Sequence, residues 1–114
     1  MQQKELRKWL NTMPNEGFDS VITLERTGAA QILLYLYVHK DKGEINITEL
    51  TQNIKATRET ILRTVTYLTK DSLLTETTMS AFPFEHKVKL TEKGKEAGRF
   101  LFELAQALRS QHKK

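Results

Sequence analysis

The chain has 114 residues, 39% of them hydrophobic and 28% charged, enough to bury one modest core and too apolar for a disordered chain. Lys and Arg number 18 against 14 Asp and Glu, a net charge of +4, and that mild excess fits a polyanionic partner. There are no cysteines, which excludes disulfides, thiol catalysis, thiol redox sensing and zinc fingers.

Residues 2–13 read as a helix, because Leu6, Trp9, Leu10 and Met13 recur at helical spacing. Pro14-Asn15-Glu16-Gly17 ends it. A short helix is expected from near Asp19 or Ser20. The N-terminus shows no apolar signal region, and no stretch approaches the ~18–20 apolar residues of a membrane span. The reading is a soluble cytoplasmic protein with no membrane partner.

Residues 27–40 predict a helix that is apolar almost all round: Ala29, Ala30, Ile32, Leu33, Leu34, Leu36 and Val38. Such a helix needs cover on more than one side, from the core and from either the N-terminal helix or a second subunit. Asp41-Lys42-Gly43 is a turn, and Glu44-Ile45 a minimal strand. Asn46-Ile47-Thr48-Glu49 reads as a capping box, with Asn46 accepting from the Glu49 amide and Glu49 reaching back. The helix it opens buries Ile47, Leu50 and Ile54. After only Lys55-Ala56, Thr57 is placed to cap the next helix, about 57–70. Two helices joined so tightly form a helix-turn-helix.

That second helix buries Ile61, Val65 and Leu68. Leu73 to Met79 alternates, as do Phe84, His86, Val88 and Leu90, so 73–90 predicts a hairpin around Ser80-Ala81-Phe82-Pro83. Thr91 caps a last helix running to about 111. Ala97, Leu101, Leu104 and Leu108 repeat in it at four, three and four residues. The seam can join two chains, with Phe100 or Phe102 adding contacts, or it can pack on the N-terminal helix of its own chain through Trp9.

The order helix, helix-turn-helix, hairpin and long helix resembles the winged helix-turn-helix transcriptional regulators of bacteria and archaea. The stretch Thr57 to Lys70 is similar to the recognition helix of the MarR-like and HxlR-like groups. Val88-Lys-Leu-Thr-Glu-Lys-Gly94 resembles their exit from the wing, and Gly28 to Leu36 their first core helix. The resemblance covers roughly residues 27–97. It implies a mainly α fold with a small β-hairpin and N- and C-terminal flanking helices. The expected organisation is an N-terminal extension over 1–26, a winged-helix core over 27–91 and a dimerisation helix over 92–114.

The implied function is sequence-specific binding of double-stranded DNA by a homodimer, with paired recognition helices reading half-sites about 10–10.5 base pairs apart. Arg58 and Arg63 can read guanine through bidentate hydrogen bonds. Thr57, Thr60, Thr66, Tyr67 and Lys70 can bond phosphates or bases, although Thr57 also serves as a cap. Leu62 points outward, either to a thymine methyl or to the wing or a partner. The family often has Gly where Lys55 and Ser72 stand, and Arg or Lys at the wing tip, where this chain has Ala81-Phe82-Pro83-Phe84. Lys87 and Lys89 on the returning strand are therefore the expected phosphate contacts. The apolar tip suits insertion at a groove, contact with another protein, or folding back of one Phe. Leu101, Leu104 and Leu108 are the expected dimer interface.

Two further readings stand beside this one. The domain can serve as a protein–protein interaction module in a multi-subunit assembly, or as a repressor answering a small-molecule effector that no residue marks. Catalysis has no support: His39, His86 and His112 lie on separate elements, and no metalloprotease motif, phosphate loop or nucleophile elbow occurs. No enzyme activity, metal or cofactor is expected.

Overall fold

The computed structural model describes residues 21–112. The helix expected over 2–13, with Trp9, and the tail Lys113-Lys114 lie outside the described residues. Chain order is a 3-10 turn Thr23–Glu25, helix α1 Ala29–Val38, a 3-10 turn Lys40–Lys42, strand β1 Ile45–Asn46, helix α2 Ile47–Asn53, helix α3 Arg58–Lys70, strands β2 Leu74–Thr78 and β3 His86–Leu90, and helix α4 Glu92–His112.

The first core helix is shorter than the expected 27–40. Gly28 sits at φ 82°, a left-handed conformation that favours glycine and cannot lie inside a helix. At the other end His39 leaves helical geometry. Ala29, Ile32, Leu33 and Leu36 are buried. The outer side of α1 is covered by α4: a Cβ on Gly98 would stand 2.7 Å from the Tyr37 Cβ, so the two helices touch nearly backbone to side chain. The Tyr37 and Phe102 rings lie 5.9 Å apart beside that contact. Val38 remains exposed.

The capping box does not form. Asn46 does cap α2, but it accepts from the Thr48 amide at 2.8 Å rather than from Glu49. Glu49 turns away, accepting from the Tyr35 hydroxyl at 2.5 Å and from Lys42 Nζ at 2.7 Å. A charged and an aromatic partner hold the carboxylate, and none of its bonds runs back to the Asn46 amide. Ile47, Leu50 and Ile54 are buried as expected.

The turn between α2 and α3 closes without a left-handed residue at Lys55, the position where the family often has Gly. The Lys55 amide donates instead to the Gln31 side chain at 3.1 Å. Ser72, the other such position, does take a positive φ, 65°.

The sheet has three antiparallel strands in the order β1-β3-β2. Ile45 pairs with Val88, and Leu74 with Leu90. β2 is shorter than the expected 73–79 and does not alternate in burial, for only Leu74 within it is buried. Leu73 just before it is buried as well, so adjacent leucines enter the core where the chain leaves α3. The core gathers Ile32, Leu33, Leu36, Ile45, Ile47, Leu50, Ile61, Val65, Leu68, Leu74 and Val88 from the first three helices and all three strands.

Thr91 ties the sheet to α4. Its hydroxyl accepts from the Gly94 amide at 3.0 Å and donates to the Ser72 carbonyl at 2.6 Å. Gly94 fits because a Cβ there would lie 2.0 Å from the Leu73 carbonyl oxygen.

Candidate nucleic-acid interface

α3 has the bounds expected from its sequence. The Thr57 side chain accepts from the Thr60 amide, closing one of the amides that a helix start leaves open. Its hydroxyl also donates to Thr60 Oγ1 at 3.0 Å, so both threonines are engaged with each other. Ile61, Val65 and Leu68 are buried, and Thr64 with them. Thr64 satisfies its buried hydroxyl by donating to the Thr27 carbonyl at 2.8 Å.

At about 100° per residue, Arg63, Thr66 and Lys70 point directly away from that buried stripe. Arg58, Arg63 and Lys70 are exposed. None of them makes an ion pair among the described residues. The only carboxylate within the helix is Glu59, and it does not bridge to Arg63. The outward face is therefore open, with Arg63 and Lys70 outnumbering the one acid, Glu59, that shares it. Thr66 returns its hydroxyl to the Leu62 carbonyl at 3.1 Å.

Two residues of this helix stand differently. Leu62 is half-buried and packs against the core cluster. Its flank position, off the outward centre, explains why. Tyr67 is half-buried too, and the Arg26 guanidinium lies over its ring at 3.7 Å from the centroid. No periodicity links Arg26 to Tyr67, which stand far apart along the chain, and only the folded chain brings them together.

On the hairpin, Lys87 and Lys89 share the sheet face opposite Val88 and Leu90. Lys87 pairs with Glu85 at 3.3 Å. Lys89 is exposed and makes no ion pair among the described residues. His86 meets Glu76 at 3.0 Å across the strands. Neither Phe folds back from the tip: Phe82 is 86% and Phe84 73% exposed. The two rings meet edge to face at 6.3 Å.

The leucine seam of α4 divides. Ala97 and Leu101 pack against the core of their own chain. Leu104 and Leu108 are 54% and 55% exposed, and Phe100 is 56% exposed beside them. A cleft of about 430 Å³ opens at the base of α4, between Thr23, Leu24, Leu73, Ala97 and Phe100. Among the described residues no group of three His, Asp or Glu is arranged to hold a metal. No helix among them is long and apolar enough to cross a membrane.

No protein-family model matches the sequence, and no curated protein matches it. The architecture does have solved counterparts. A transcriptional regulator homologue from Pyrococcus horikoshii is similar over 97% of this chain and 99% of its own, with TM-score 0.63 and 13% identity. The reduced form of the regulator YodB from B. subtilis is similar over 90% and 97%, with TM-score 0.65 and 19% identity. A MarR-family protein from Porphyromonas gingivalis is similar over 82% and 89%, with TM-score 0.66 and 13% identity. The fold is a winged helix-turn-helix. Within this winged helix, α2 and α3 form the helix-turn-helix, β2 and β3 the wing, and α4 the flanking helix.

Proposed function

We propose that the chain is a sequence-specific transcriptional regulator that binds double-stranded DNA as a homodimer. Residues 27–91 form the DNA-binding core, 1–26 extend it, and 92–114 join two copies. α3 enters the major groove with Arg58 and Arg63 toward base edges. Thr66 and Lys70 lie on the same outward side, and Lys89 reaches the backbone from the wing. The observation that carries this reading is the outward face of α3, where exposed cations stand without ion partners among the described residues. The solved relatives called transcriptional regulators support it.

Selecting bound duplexes from a random pool tests it directly. A preferred sequence should emerge, and Arg63→Ala should weaken binding to it by about 1–3 kcal/mol. Unchanged affinity and unchanged preference in that variant would refute the role of α3.

The exposed Phe82 and Phe84 pair favours a second reading, a protein–protein interaction module. A gel shift at low and moderate salt separates the two. A regulator shifts mixed genomic DNA and loses it as salt rises; a pure interaction module shifts none.

A further inference from the structure

The segment before α1 grips one flank of α3. The Thr23 hydroxyl donates to the Asp71 carboxylate at the C-cap of α3. The Thr27 carbonyl accepts from Thr64 at 2.8 Å. Between these two bonds the Arg26 guanidinium lies 3.7 Å from the centroid of the Tyr67 ring. Positions 64, 67 and 71 follow at three and four residues, so all three contacts fall on one helix flank. That flank lies between the buried stripe and the outward face bearing Arg63 and Lys70.

Arg26 is exposed and makes no ion pair among the described residues. Its charge is thus available while its long side chain is laid over a ring. The stacking removes rotamer freedom that a loose surface arginine would lose on binding. A guanidinium fork matches a phosphate diester with two parallel hydrogen bonds.

Resting on the DNA reading above, we infer that Arg26 is a phosphate-contacting residue at the edge of the α3 groove site, and that Tyr67 positions it. Tyr67 then acts through Arg26 rather than through the bases. The contact is to backbone, so it adds affinity equally on every sequence.

The test is fluorescence anisotropy with a fluorescein-labelled selected duplex and a scrambled one, titrated across a salt series. Arg26→Ala should flatten the slope of log K against log salt by about 1.8 on both duplexes, the share of two phosphate contacts, one from each copy of the dimer. Arg26→Lys should keep the slope. Arg26→Gln, which retains the stem over the ring and removes the charge, should match the alanine variant and replaces it if alanine unfolds the chain. Tyr67→Leu should keep the slope and lose affinity several-fold. An Arg26→Ala or Arg26→Gln chain that melts earlier but leaves the slope unchanged overturns the inference and makes the grip purely structural. A loss confined to the selected duplex overturns it too, since that is base reading. Wild-type protein that binds neither duplex brings down the DNA reading itself, before any variant is compared.

Discussion

Ser72 holds φ 65°, a conformation that costs an L-residue roughly 1–2 kcal/mol and glycine nothing. The bond its carbonyl accepts from Thr91 does not depend on the side chain. Ser72→Gly should therefore stabilise the fold by about 0.5–1 kcal/mol, after the added freedom of the unfolded chain is subtracted. A urea midpoint that falls instead would show that the serine side chain matters there. Gly94 is the opposite case. The atom facing it is backbone oxygen, 2.0 Å from where a Cβ would sit, and it cannot swing aside. Gly94→Ala should cost about 1–3 kcal/mol, read as a lower midpoint with the same m-value. Both positions were visible in the sequence, one as a departure from the family pattern and one as a match. Thr57 was visible too, since a cap and its amide lie three residues apart. Arg26 was not: its partner Tyr67 is distant along the chain, and only the folded core brings them together.

Among the elements, α1 and α2 are locked by Tyr35, Lys42 and Glu49. The hydrogen bond from Lys42, then that from Tyr35, hold the Glu49 carboxyl below its usual range. Such a depressed acid contributes stability that is present above its unfolded pKa and lost as pH falls through the folded one. Acidification through about pH 4 should thus weaken the α1–α2 junction. Glu49→Gln should flatten that acid limb in a plot of urea midpoint against pH, and an unaltered limb would assign it to other carboxylates. The same bond pushes Tyr35 up to about 12 from 10.0. Its share of stability is therefore complete below pH 10 and disappears toward pH 12. The sequence pointed Glu49 back at Asn46, since a capping box is a local pattern. Competition from Lys42 and Tyr35 decided otherwise, and neither can be ranked without the fold. The strands show the same limit. β1 has two residues and gains its identity only by pairing with β3, whereas α3, amphipathic and capped, was legible from end to end.

At the scale of the whole molecule, α4 is too long for the core it caps. Its 21 residues span about 30 Å at 1.5 Å each, and among the described residues its first half carries the packing against α1 and the core. Phe100, Leu104 and Leu108 then follow four residues apart, all more than half exposed. A repeated apolar stripe calls for cover, and under the homodimer proposed above a second α4 would supply it. Leu104→Asp should accordingly give a monomeric mass in light scattering while the circular dichroism of the core stays unchanged. Its DNA binding should change in a particular way. A dimer that engages two half-sites gains on the order of 100-fold from the second contact. The monomeric variant should lose that factor on a duplex with two half-sites and keep wild-type affinity for a single one. A Leu104→Asp chain that still weighs as a dimer rejects this stripe as the contact between copies. A wild-type chain that is already monomeric, and whose Leu104→Asp variant only melts earlier, assigns the stripe to packing within one chain.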